Sequence, residues 1–176
     1  MTFRPFKGED LRIVTDALDI SEDITGNFFK FSTGQWRRFR YDVKTLADLT
    51  SDEISEEAFA VLSRRTRVVG DYGPTPLNKD YYFICLQDHQ VLKAIGRDRE
   101  VDLLPLLVYV LTHELVHIIR FSSFMQRFDV SGTGREMEER VVHAITYEIL
   151  RKTNLARLDR VLDRYTGHRW CEVAVS

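Results

Sequence analysis

Cysteine is nearly missing from this chain: only Cys85 and Cys171 occur in 176 residues. Two thiols cannot build a disulfide framework, so a reducing compartment, the cytoplasm, is expected. Proline and glycine are sparse as well, at four and nine residues. No Pro-, Gly- or Ser-rich linker divides the chain, and no internal repeat does so either. An excess of one charge sign is also absent. Lys and Arg total 25 against 27 Asp and Glu, for a net charge of −2. Such a balance exerts no global pull on nucleic acid or anionic lipid, so neither is an expected partner. "MTFRPFKGEDLRIV" lacks the apolar run of a signal peptide. The longest apolar run, residues 101–121, is interrupted by Pro105, His113, Glu114 and His117, which reads against a membrane span.

What remains is ample material for a core, with 44% hydrophobic and 30% charged residues. A short amphipathic helix is expected around Glu9 to Leu18. "NFFKFSTGQWRRFRYDV" offers aromatic-rich runs on either side of Ser32-Thr33-Gly34-Gln35, a hairpin signal. Thr50 and Glu53 have capping-box spacing and predict a helix over "SDEISEEAFAVLSRRT". Val68-Val69 and Tyr81 to Leu86 read as strands around a Gly/Pro turn region. Asp102, with Pro105 in the first turn, predicts a helix to about Phe121. Thr133 and Glu136 predict another, and a last helix runs from Leu155 to Tyr165. The expected fold is α+β, a mostly helical single domain with a small β-sheet. Its parts are an N-terminal helix/hairpin/helix stretch at 1–66, sheet and site helices at 67–153, and a C-terminal helix and tail at 154–176.

The residues that carry chemistry lie in "VYVLTHELVHIIRF", an apolar helix interrupted by His113, Glu114 and His117. Burying such groups is costly unless each finds a partner. Positions four apart differ by about 40° around a helix axis, so both imidazoles project from one face and can share a cation. This HExxH pattern suits zinc, Zn2+, which accepts imidazole nitrogen at about 2.0 Å. Glu114 points beside the ligands, where it can reach an activated water as general base. A third ligand is needed, and no histidine follows closely in "IIRFSSFMQRF". The candidates are Glu136, Glu138, Glu139 and His143 on the next helix. About its apolar side, taken as Val141, Val142, Ile145 and Ile149, Glu138 falls on the face and Glu139 at its edge.

These two helices resemble those of the gluzincin metallopeptidases, which carry HExxH on one helix and a glutamate ligand on a later one. In regulatory members the second helix often reads like "EREANRFAAELL", and "ERVVHAITYEIL", residues 139–150, aligns with it without a gap. The resemblance implies Glu139 as third ligand rather than Glu138, and His143 as a group behind the ligands that orients one of them. His143 stands where the family has Asn or Asp, which adds it to the candidate ligands, and Val142 replaces a usual alanine. In size and element order the chain is similar to the minigluzincins, which implies a zincin-like helix–sheet–helix core. The implied activity is zinc-dependent hydrolysis of peptide bonds, with a peptide or protein as substrate. The strand "YYFICL" falls where gluzincins pair an extended substrate with a sheet edge. The alternative is a non-catalytic metal-binding, regulatory or sensor domain with a degenerate zincin site. A homo-oligomer is compatible with either.

"WRRFRY", residues 36–41, reads as a strand with one packed aromatic face rather than a nucleic-acid platform. The tail residues His168, Trp170 and Cys171 would suit a latent enzyme in which the tail folds back onto the centre, as the minigluzincin resemblance implies. Tyr147, Tyr165 and His168 are candidates for transition-state support, and His89 reads as a turn residue.

Overall fold

The computed structural model describes residues 3–69, 77–165 and 171–173, and the backbone alone at 66–69, 77–79 and 171–173. In chain order the helices and strands are α1 (Glu9–Phe29), α2 (Thr33–Trp36), β1 (Tyr41–Lys44), β2 (Ala60–Val69) and β3 (Leu77–Leu86). They continue with α3 (Asp88–Arg97), α4 (Leu103–Ser122), α5 (Gly132–Leu150), α6 (Leu158–Tyr165) and β4 (Cys171–Val173). Short 3-10 turns occupy Leu46–Asp48 and Ser51–Glu53. The fold is α+β and mostly helical, as expected.

Helix α4 is the axis of the molecule. Every residue from Pro105 through Ile119 is buried, as a helix apolar on all sides requires. By length and composition α4 could cross a membrane, yet it lies almost wholly inside the protein. Along α1, Ala17, Ser21 and Thr25 recur at four-residue spacing and are fully buried. Their small side chains let the two helices approach closely enough for the Ser21 hydroxyl to donate to the Val108 carbonyl at 3.3 Å.

The sheet has the order β1-β3-β2-β4. β2 and β3 are antiparallel, with Leu62 opposite Ile84, while β1 runs parallel to β3 and β4 parallel to β2. Two-residue alternation gives each strand two faces. Ala60, Leu62, Tyr82, Ile84 and Leu86 join the main core with α4. Val61 and Cys85 point the other way and pack with Ala58 in a small second cluster.

Several expectations are corrected. The helix expected at 51–66 is a single 3-10 turn followed by β2. Glu53 does reach back to the Thr50 N–H at 3.0 Å, but this box caps one turn only. Pairing of Ala60–Val69 with β3 along its whole length outweighs a local start signal. The hairpin at Ser32–Gln35 is also absent. Ser32 and Gln35 cap each other, with Gln35 Oε1 accepting from Ser32 N at 2.8 Å, and so open α2, while α1 runs on to Phe29. "WRRFRY" is a helix end and turn before β1. Its Trp36 and Phe39 do pack, with each other and with Phe31, at ring centroids 5.2–5.8 Å apart.

The substrate-pairing place given to "YYFICL" is overturned. β3 is an interior strand, with β1 on one side and β2 on the other, so its backbone groups there are already used. Helix α3 was not foreseen. It opens with Asp88 and contains His89, whose Nε2 lies 3.0 Å from the Ser55 carbonyl. Helix α5 begins at Gly132, after Ser131, so Thr133 lies inside it rather than capping it. Asp102 occupies the N-cap of α4 without capping it, and its carboxylate pairs instead with Arg157 at 3.1 Å. Helix α6 starts three residues later than expected, at Leu158. Val141, expected on the apolar face of α5, is exposed, whereas Val142 and Ile149 are buried.

Candidate metal centre

Because α4 is buried along its length, its polar residues enter the interior with it. His113, Glu114 and His117 have no solvent exposure. The two imidazoles sit one turn apart with centroids 4.9 Å from each other, nearly edge to face. Helix α5 packs across them and brings one carboxylate between the rings. Glu139 Oε2 lies 3.3 Å from His113 Nε2, and its Oε1 lies 3.2 Å from His117 Nε2. One turn further along α5, the His143 ring lies tilted beside His113 at 4.6 Å between centroids. Its Nε2 is 3.9 Å from Glu139 Oε2. One atom from each of His113, Glu139 and His143 falls within a 4.8 Å span, and these three form a potential cation-holding cluster.

Glu138 takes a different position from its neighbour. It accepts two hydrogen bonds from Arg120, from Nε and from an Nη, both at 2.8 Å. Its Oε1 faces Nδ1 of His117 at 3.7 Å, on the side of the ring away from Glu139. That is the placement of a carboxylate that orients a ligating histidine rather than of a ligand. Glu136 is exposed in the first turns of α5.

The electrostatics follow from this crowding. Burial works against ionised Glu139, but the imidazoles of His113 and His117 outweigh it and hold the carboxyl well below its usual range. Glu138 is likewise held down to about 2, where burial is outweighed by His117 and Arg120. Burial depresses His113. It also lowers His143, to about 4, helped by the nearby His113. For His117 burial is overcome by Glu138 and Glu139, which push it up to about 9. Two carboxylates thus favour one positive charge among three rings, and crowding keeps the other two rings neutral.

The ring nitrogens of His113 and His117 make no hydrogen bond of normal geometry, nor does Glu139 Oε2, although each atom is buried. An unsatisfied buried polar group costs about 1–3 kcal/mol. Nitrogen lone pairs and a carboxylate oxygen gathered in this way fit a divalent cation of borderline softness. The donor set therefore suits the metal that the sequence suggests. A narrow cleft reaches the centre from outside, lined by His117, Phe121, Phe128, Val130, Arg135 and Glu139, with about 220 Å³ of empty space. It admits about one water-sized sphere, far less than a drug-sized ligand needs. It adjoins a wider groove bordered by Arg64, Tyr82, Phe124 and Arg127, with which it shares Phe121 and Phe128.

Sequence reasoning did not single out Arg120 or Tyr109. Arg120 follows His117 by three residues and Tyr109 precedes His113 by four, so helical spacing alone carried the signal. Of the candidates for transition-state support, Tyr147 is exposed on α5. Tyr165 packs edge-on against Phe59 at 5.3 Å, within the core. His168 and Trp170 lie outside the described residues, and of Cys171 only the backbone, in β4, is described. Comparison with family models, curated proteins and solved structures found no match to this chain.

Proposed function

We propose that this protein is a zinc-dependent metallopeptidase. The observation that carries this reading is the approach of Glu139, from α5, to the Nε2 atoms of both HExxH histidines at 3.3 and 3.2 Å. His113, His117 and Glu139 would hold the ion. When bound, a divalent cation supplies Lewis acidity to a carbonyl oxygen and lowers the pKa of water. Glu114, buried beside the two histidines, accepts the proton of the attacking water and delivers it to the leaving amine. Glu138, tied down by Arg120, keeps the His117 ring oriented so that Nε2 faces Glu139. The aromatic groove beside the cleft would receive an extended peptide, and the protein would work in the cytoplasm, where Cys85 stays a free thiol.

A second reading, a non-catalytic metal-stabilised or regulatory domain, is favoured by the tightness of the cleft. Elemental analysis separates chance from design. About one zinc per chain in wild type, lost in His117→Ala and Glu139→Ala, is the expected result. Metal absent from wild type after exposure to excess zinc would sink both readings. Glu114→Gln then divides them, since an enzyme keeps its metal and loses peptide hydrolysis in that variant.

A further inference from the structure

His143 stands on α5 beside the centre, 4.6 Å from His113 between ring centroids. Resting on the metal site proposed above, we propose that His143 is a direct ligand and that Tyr109 fixes its tautomer, so that the resting centre is closed by four protein groups. The hydrogen-bond chain sets the tautomer. The Tyr109 hydroxyl lies 3.2 Å from the backbone carbonyl of Tyr165 and 3.5 Å from Nδ1 of His143. A carbonyl can only accept, so the single phenolic proton goes to Tyr165. The phenolic oxygen is then an acceptor, and the group facing it is Nδ1–H. Nε2 is left with its lone pair, and Nε2 is the atom turned toward Glu139 at 3.9 Å.

Distances give the second argument. Donors about 2.0–2.1 Å from a tetrahedral zinc are separated from one another by about 3.3–3.4 Å. The separations of Glu139 from His113 and from His117, 3.3 and 3.2 Å, are of that size. The 3.9 Å to His143 is a little longer, within what rotation in the broad χ2 well of histidine supplies. His143 also stands beside His113 at 4.6 Å between rings, closer than His113 is to His117. A neighbour that merely oriented a ligand would meet its outer nitrogen, as Glu138 meets Nδ1 of His117. His143 faces the inner side.

Three imidazoles and one carboxylate would fill a four-coordinate site, and His143 leaving it would open a position for a substrate carbonyl. The His143 side chain is 17% exposed whereas those of His113 and His117 are fully buried, which makes it the ligand most readily exchanged. His143 is therefore a gate built into the ligand set, and Tyr109 is its positioning residue.

X-ray absorption of the zinc-loaded protein counts the imidazoles directly. Three are expected in wild type and two, with a water in place of the third, in His143→Asn. With cobalt as the probe, azide should perturb the visible spectrum of His143→Asn at concentrations that leave wild type unchanged. Tyr109→Phe should lower zinc affinity about tenfold, the scale seen for outer-shell partners. The same change in a His143→Asn background should have no effect, because its action runs through that ring. Zinc bound by two imidazoles in wild type would overturn the fourth ligand and leave the three-ligand site standing. Absence of bound metal in wild type would overturn both.

Discussion

Two buried polar clusters in this molecule are treated in opposite ways. At the junction of β3 and α3, Gln87 and Asp88 have no solvent exposure, and all their polar atoms are engaged. Gln87 donates to the carbonyls of Glu53 and Cys85 at 2.8 and 3.1 Å and accepts from Ser55 N at 2.9 Å. Asp88 accepts from the backbone N–H of Phe6 at 2.7 Å and of Leu46 at 3.0 Å. The two side chains knit the N-terminal segment and the loop before β2 onto α3. At the α4–α5 centre, the nitrogens of His113 and His117 are equally buried and lack aligned hydrogen bonds. A chain able to satisfy one cluster completely has the means to satisfy the other. In the proposed reading those nitrogens, facing one carboxylate, are left for a ligand, and buried polarity separates into scaffold and site.

That contrast can be broken by substitution. The largest effect belongs to Glu114→Gln, expected to lower peptide hydrolysis by about 10²–10⁴-fold while metal content and unfolding midpoint stay near wild type. Hydrolysis unchanged in that variant would end the general-base role. Asp88→Ala should do the reverse. It strips the acceptor from two backbone donors and should destabilise by about 3 kcal/mol in urea titration, with zinc content intact in the folded fraction. A small loss there would show that the scaffold cluster is not what holds the N-terminal segment. Zinc at a hundredfold over its dissociation constant should add about 2.7 kcal/mol to wild type and nothing to His117→Ala, as read from the shift in melting temperature.

The smallest effect concerns pH. Glu53 is held below its usual range: burial opposes this, and the Lys44 ammonium at 2.8 Å together with the Thr50 N–H outweighs it. A depressed folded pKa gives stability that is present above the ordinary value near 4.5 and is lost as pH falls through the folded value. Glu53→Gln should therefore cost about 1–2 kcal/mol at pH 7, and the gap from wild type should shrink as the buffer is taken below 4.5. A gap independent of pH would assign the loss to packing.

The sites of chemistry were more legible than the sheet around them. His113 and His117 announce themselves because helical spacing is local and α4 is long and uniformly apolar. Glu139 could be singled out from Glu138 only by resemblance, although the edge position noted for it fits a carboxylate reaching across to a neighbouring helix. β2 was hidden for the opposite reason. Its strand state depends on β3, and the nearest local signal, Thr50 with Glu53, is a real cap on a turn that ends before β2 begins. The interior rank of β3 was likewise invisible, because it is completed by β1, which pairs with it from a distant part of the chain. His89 reads as a turn residue because the helix that contains it opens at Asp88, which draws on Phe6 and Leu46, far away in sequence.

The seam between α1 and α4 joins Ser21 to Val108, 87 residues apart. Contacts of that sequence separation form late, since the intervening chain must first be made and ordered. During synthesis α4 therefore emerges as an apolar segment long enough to enter a bilayer, with α5 and α6 still to come. The histidine helix reaches its final surroundings only after nearly the whole chain has been translated. Its early company is a chaperone's concern, and the His113–His117 pair meets Glu139 only once α5 has been made.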